Sequence, residues 1–334
     1  MARGDRRPNH EMRTSCGMKG GTECLRMNFG AGSGTFRRSV CSSGSRRRAS
    51  SGRRSAPLVV RRAVVLLAFL VLLLPGAGRG GSAPPVGIIA FGDFGVGGNT
   101  QRSFGAAVRR FEAQNPANYL VTLGDNDYTE NPAAFHVNWE SSFGWWRRAG
   151  LRVAGVLGNH DVRVENGRYE FDELQMPRRY YRHAVGPVEL YLLDSNNVDD
   201  SQTAWLRRAL SRSRARWKIA VFHHPAFTCG NYESNGPVVA RWVPLFERFR
   251  VRLVLSGHDH NYQRFAPRRG VRYVVHGGGG RGLYDLESCP ASYPRRMAAR
   301  KEQGFLYLVI RGNRLTGWAV TPEGRRTDRF AFAG

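Results

Sequence analysis

The stretch Val86-Gly87-Ile88-Ile89-Ala90-Phe91-Gly92-Asp93-Phe94-Gly95 decides the fold. Six uncharged residues, rich in Ile, Val and Phe, stop abruptly at Gly-Asp. A run of that kind reads as a strand buried on both faces, and the Gly-Asp pair reads as the turn at its carboxyl end. The arrangement recurs four times. Residues 119–123 run into Gly124-Asp125-Asn126-Asp127-Tyr128, and residues 151–157 into Gly158-Asn159-His160-Asp161. Residues 219–222 run into His223-His224-Pro225, and residues 251–256 into Gly257-His258-Asp259-His260. One Gly-Asp after an apolar run is ordinarily a turn and nothing more. Five clusters in series, each ending a strand-like run and each carrying carboxylate, amide or imidazole, ask for a further reason.

Between the runs lie amphipathic stretches of helical length, over residues 100–114, 133–149, 201–214 and 238–249. In the third, Trp205, Leu206 and Leu210 fall at one-turn spacing. Strand–helix alternation predicts an α/β protein, and ligands in such sheets gather beyond the carboxyl ends of the strands, where every polar cluster falls. Residues 180–194 and 305–332 read instead as paired strands, with turns at Gly186-Pro187, Gly312-Asn313 and Pro322-Glu323-Gly324. No internal repeat and no linker interrupts residues 86–334, so one domain is expected there.

The whole chain has 334 residues, 41% hydrophobic and 23% charged, which excludes a collagen, a wholly disordered chain and a polytopic membrane protein. Its net charge of +25 comes almost entirely from arginine, since only Lys19, Lys218 and Lys301 are lysines. A basic surface draws anions. No nucleic-acid recognition motif accompanies the charge, so no specific nucleic-acid partner is expected.

Residues 1–57 form a basic Arg-, Ser- and Gly-rich leader with no helical or strand period, and Met12, Met18 and Met27 offer later starts. Residues 58–83 carry twelve apolar residues (63–74) behind Arg61-Arg62 and ahead of Pro75-Gly76. A basic flank and a short apolar run make a secretory signal. Twelve residues fall short of the ~20 that span a bilayer as a helix, so a cleaved signal is preferred to an uncleaved anchor. Export to the periplasm, the cell surface or the exterior is expected, by the Sec route or, given the arginine pair, the twin-arginine route. Cys16, Cys24 and Cys41 lie in the leader. Cys229 and Cys289 remain in the body, either as one disulfide or as two separate thiols.

In chain order the clusters supply Asp93, Asp125, Tyr128, Asn159, His160, His223, His224, His258 and His260. Carboxylate, phenol, amide oxygen and imidazole together suit iron, manganese or zinc. A carboxylate shared by two cations can hold them ~3.5–4 Å apart, the spacing used for in-line displacement at phosphorus. Alternate residues of a strand point opposite ways, so His258 and His260 need either a loop or two different metals.

The set GD, GDxxY, GNHD, HxP and GHxH resembles the calcineurin-like metallophosphoesterases, and within them the purple acid phosphatases. Asp93-Phe94-Gly95 stands where most of that superfamily has D-x-H, and Tyr128 stands where purple acid phosphatases carry an iron-ligating tyrosine. Gly124-Asp125-Asn126-Asp127-Tyr128, residues 176–182 and Leu192-Leu193-Asp194 are similar to the small, tartrate-resistant form. The resemblance covers residues 86–334. It implies a four-layer αββα sandwich, two mixed sheets flanked by helices. It also implies Fe(III) held by Asp93, Asp125, Tyr128 and His260, and a divalent iron, zinc or manganese held by Asp125, Asn159, His223 and His258, with Asp125 bridging. His160 becomes the catalytic histidine facing the substrate. His224 either faces the substrate too or supports a ligand. Residues 277–280 resemble a glycine-rich loop of the family near its site.

The function implied is hydrolysis of small phosphate monoesters by in-line attack of a metal-bound hydroxide, in a monomer that meets a membrane only through an uncleaved anchor. Phosphodiesters (cyclic nucleotides, nucleic acid, phospholipid headgroups) are the alternative substrate, and a non-catalytic basic binding protein is the third reading. Specificity is expected in loops such as residues 162–174 and 228–238.

Overall fold

The computed structural model describes residues 84–334. The leader, the signal segment and the three leader cysteines lie outside the described residues.

In chain order the elements are β1 (Val86–Phe91), α1 (Gly98–Glu112), β2 (Tyr119–Thr122), α2 (Pro132–Phe143), β3 (Arg152–Ala154), β4 (Tyr181–Val185), β5 (Val188–Leu192) and α3 (Asp200–Arg212). There follow β6 (Trp217–Val221), α4 (Gly236–Arg241), α5 (Val243–Arg248), β7 (Leu253–Ser256), β8 (Tyr262–Phe265), β9 (Arg272–His276), β10 (Arg296–Arg300), β11 (Phe305–Arg311), β12 (Arg314–Val320) and β13 (Arg326–Ala333). They build two mixed sheets. The first has strand order β13-β12-β11-β1-β2-β3 and the second β10-β8-β9-β7-β6-β5-β4. Strands β1, β2 and β3 run parallel, as do β5, β6, β7 and β9, while hairpin strands extend both sheets antiparallel.

Side-chain alternation along the strands makes the layers. In β6 and β7, Ile219, Val221, Leu253 and Leu255 enter the core that the second sheet shares with the first. Ala220, Phe222 and Val254 point the other way, into a second core with Leu206, Leu210, Trp242 and Phe246 of the helices. On the first sheet, Phe104 and Phe111 of α1 meet Phe305 edge to face, at 6.3 and 5.1 Å between centroids. Both faces of the central strands are therefore apolar, which explains their unbroken hydrophobic runs. The expected sandwich of two mixed sheets with flanking helices is the observed one. Among the described residues, no helix is long and apolar enough to cross a membrane.

Helix starts follow local chemistry. Asn131 Oδ1 accepts from the backbone N–H groups of Ala133 and Ala134, and Pro132 opens α2. Asp199 caps α3 through the Gln202 N–H at 2.7 Å. The stretch 238–249, expected as one helix, is two, because Pro244 lacks the N–H and crowds the preceding turn. The stretch 133–149 is α-helical only to Phe143 and tightens into a 3₁₀ turn at Gly144–Arg147. Of residues 151–157 only Arg152–Ala154 pair, since β3 is the sheet edge and meets β2 alone. Residues 305–332 are three strands joined by the two expected turns, while β8, β9 and β10 were not anticipated.

Cys229 and Cys289 form a disulfide with Cα atoms 5.1 Å apart, settling the choice left open by the sequence. Closing a loop of 60 residues stabilises by about 4 kcal/mol in the chain-entropy account.

Candidate metal centre

All nine chemistry-bearing residues follow the carboxyl ends of β1, β2, β3, β6 and β7, and the two sheets bring those ends to one place. The sheets are laced together there. His223 Nδ1 donates to the Leu123 carbonyl at 2.9 Å, and the His258 N–H donates to Asp93 Oδ2 at 2.9 Å. Each bond crosses from a strand end of one sheet to a strand end of the other.

The backbone is bent to aim these groups. Asp93, Asp125 and His258 have φ of 61°, 51° and 70°, left-handed values that L-residues avoid. Three such residues within one centre mark strain retained at a functional site. Close approach explains two glycines. A Cβ at Gly158 would sit 2.2 Å from Asp125 Oδ1, and one at Gly257 would sit 2.6 Å from Asp93 Oδ2. The 277–280 loop also packs here, with Gly279 N–H on the Gly92 carbonyl at 3.0 Å.

Because His223 Nδ1 spends its proton on Leu123, Nε2 presents a lone pair. It faces Asn159 Oδ1 at 3.1 Å and Asp125 Oδ1 at 3.5 Å. Likewise His260 Nδ1 donates to the Gly282 carbonyl at 2.7 Å, leaving Nε2 toward Asp93 Oδ1 at 3.3 Å and the Tyr128 hydroxyl at 3.2 Å. His258 Nδ1 is 3.2 Å from His223 Nε2. The Tyr128 hydroxyl also donates to Asp93 Oδ1 at 3.3 Å, and histidines tied to backbone carbonyls through the far nitrogen are oriented as metal ligands are. The donor atoms of Asp93, Asp125 and His223 all lie within 4.8 Å of one another, as do those of His223, His224 and His258. The residues present fit a two-cation centre. His258 and His260 lie on a loop after β7, which lets both face it.

His160 is half-buried, its backbone N–H on Asp125 Oδ1 at 2.9 Å and its ring 4.4 Å from that of Tyr128. Burial holds its pKa below the usual histidine value; the charge of Asp125 opposes this, and Arg163 and Arg281 add to it. His224, a member of the group with His223 and His258, has Nδ1 3.0 Å from Ser195 Oγ, which also accepts the His224 backbone N–H at 2.9 Å.

Four supporting groups were not assigned from the sequence. Asp161 accepts the N–H groups of Asn126, Asp127 and Gly158 at 2.8, 3.0 and 2.7 Å, which fixes two ligand-bearing loops against each other. Asn126 Nδ2 donates to Asp161 and to the buried Glu170, at 2.8 and 3.0 Å. Burial and the Asp161 charge push the Glu170 carboxyl well up. Asp161 and Asn126 were visible inside the Gly158-Asn159-His160-Asp161 and Gly124-Asp125-Asn126-Asp127-Tyr128 motifs; Ser195 and Glu170 carried no signal.

The human tartrate-resistant acid phosphatase type 5 is 25% identical over 295 residues, covering 73% of this chain and 90% of that protein. Purple acid phosphatase 7 of Arabidopsis thaliana is 24% identical, covering 58% of this chain and 69% of its own length. Among solved structures, the yellow lupin purple acid phosphatase PPD1 superposes with a TM-score of 0.62 at 14% identity, covering 75% of this chain and 54% of that one. The pattern of the calcineurin-like phosphoesterases matches residues 87–262. With that match over more than half its length, the chain belongs to the calcineurin-like phosphoesterase family and is a hydrolase acting on phosphoric esters.

Proposed function

We propose that the chain is an exported phosphatase of phosphate monoesters. Its centre would hold Fe(III) through Asp93, Asp125, Tyr128 and His260, and a divalent iron, zinc or manganese through Asp125, Asn159, His223 and His258. The observation that carries this reading is the clustering of the donor atoms of Asp93, Asp125 and His223, and of His223, His224 and His258, each set within 4.8 Å at one seam between the sheets. When bound, the two cations would acidify a water molecule and neutralise phosphoryl oxygens.

The chain's own groups do the rest. Burial keeps the Tyr128 phenol protonated far above the usual tyrosine range, and the charges of Asp93 and Asp125 reinforce it. A cation bound beside Tyr128 would displace that proton, and the oxygen-rich donor set suits a hard ion on this side. His160, on the rim, gives a proton to the departing alkoxide. Its lowered pKa makes that proton available only on the acid side of neutrality. Ser195, which accepts the His224 N–H, donates its own hydroxyl proton to Nδ1. His224 Nε2 then carries a proton and serves as donor to a phosphoryl oxygen, a role distinct from that of a ligand.

Phosphodiester hydrolysis is the second reading, favoured by the basic charge of the chain. Side-by-side rates on p-nitrophenyl phosphate and bis-p-nitrophenyl phosphate separate the two. The monoester is expected to be the faster substrate in kcat/KM, and a faster diester would reverse the proposal.

A further inference from the structure

Two tyrosines that this chemistry does not use stand against the last two histidines. The Tyr284 ring stacks on His260, centroids 4.1 Å apart and planes 12° from parallel. The Tyr232 ring stacks on His258 at 4.1 Å and 25°. The two tyrosines meet edge to face at 5.5 Å, with hydroxyls 3.5 Å apart. Neither lies on a strand or helix.

The segments that carry them are nevertheless held firmly. The Cys229–Cys289 disulfide joins the two. The Glu287 N–H donates to the Cys229 carbonyl at 2.9 Å, and the Tyr284 N–H to the His260 carbonyl at 3.0 Å. The Asp259 carboxylate, between the two histidines in sequence, accepts the Thr228 hydroxyl and the Asn231 N–H. Tyr232 is thus fixed with one face on His258, yet the residue remains 39% exposed. A large ring kept rigid beside a polar centre and open to solvent is a surface for a ligand group, since packing needs would have buried it. Fixed aromatic faces take flat groups by offset stacking.

We propose that Tyr232, backed by Tyr284, determines leaving-group specificity by stacking a planar aromatic group bonded directly to the ester oxygen. The assignment rests on the phosphomonoester reading. Reach favours an aryl group. The ring of Tyr232 lies one ring layer from a histidine of the centre, so an aryl ester oxygen puts its own ring beside Tyr232. In a nucleoside 5′-phosphate, the ribose holds the base further away.

The test uses the metal-loaded full chain, with phenyl phosphate, glycerol 2-phosphate and adenosine 5′-phosphate as substrates and thermal melts to check folding. Tyr232→Ala should lower the phenyl-to-glycerol ratio of kcat/KM by about two- to tenfold, the worth of one aromatic pair, and mainly through KM. Tyr232→Phe, which keeps the ring, should restore the ratio. An equal fall on phenyl and glycerol esters, or a fall confined to adenosine 5′-phosphate, overturns the assignment while leaving the phosphatase intact. A wild-type protein inactive on all three esters removes the monoester reading itself and this inference with it.

Discussion

The proposed centre has two halves built alike and charged differently. Each rests on a histidine whose far nitrogen donates to a backbone carbonyl, His260 to Gly282 and His223 to Leu123. In the first half, burial pushes the Asp93 carboxyl up to about 7, with Asp125 adding to the rise. Burial would lower His260, but the hydrogen bond and charge of Asp93 outweigh it and raise the imidazole. In the second half, burial lowers His223 well below the usual value and, with His223 and His224 adding, lowers His258 to about 2. One half offers carboxylate and phenol oxygen, the other neutral nitrogen and amide oxygen. Oxygen-rich anionic donors favour a hard cation and imidazole-rich ones a borderline divalent. On the proposed assignment, a single seam between two sheets prepares two unlike cation sites, because each strand end contributes only one or two side chains and the mixture is free to differ from one side to the other.

The most damaging way to break that contrast is to remove the residue common to both halves. Asp125→Asn is expected to cost about a thousandfold or more in kcat/KM, the several kcal/mol that metal-ion charge stabilisation is worth, and to deplete both cations. Enzyme rates with elemental analysis check it. Single-half variants sharpen the comparison. Tyr128→Phe should abolish the visible absorption of the iron-loaded protein, while Asn159→Ala should keep the colour and lose about one divalent ion per chain. Each should cost at least the about 10- to 100-fold that losing an outer partner of a metal ligand costs.

A weaker effect tests the rim. His160 donates only when protonated and its pKa is depressed, so its contribution is lost as pH rises through that lowered value. His160→Asn should flatten the acid-side rise in kcat, by roughly the 10²-fold or more of a general acid at the acid end and by less at neutral pH. The pH–rate profile of the two proteins decides it.

Glu170→Gln should have the smallest effect. Burial raises the Glu170 carboxyl in the folded protein, so the folded state keeps a proton that the unfolded chain gives up above about 4.3. Stability from this group is accordingly lost as pH rises above that value. The amide should change the free energy of unfolding by no more than about 1 kcal/mol and make the neutral-side decline shallower, as read from denaturant melts at several pH values.

The donor groups were legible because each breaks an apolar run at the point where a buried strand must stop. Asp93 after Phe91 and His223 after Phe222 are visible without any knowledge of partners. Much of the sandwich was legible for the same reason. Strand β10 was not, since Arg296–Arg300 alternates no apolar residues. Strand β8 follows His260 almost directly and carries Gln263 and Arg264. The break between α4 and α5 could have been read from Pro244. The stacked pairs Tyr232–His258 and Tyr284–His260 join residues 26 and 24 positions apart by loop geometry, and no periodicity records such a contact. The sequence reading placed specificity in residues 228–238 but could not say which side chain would turn toward the centre.

Elemental analysis of the natively purified protein, with a visible absorption spectrum of the same sample, tests the two-halves account most directly. About two metal ions per chain, at least one of them iron, with a broad visible band that disappears in Tyr128→Phe, is the predicted result. Two ions without iron or colour would contradict the division of the centre into a ferric and a divalent half, and a metal content near zero would contradict the centre itself.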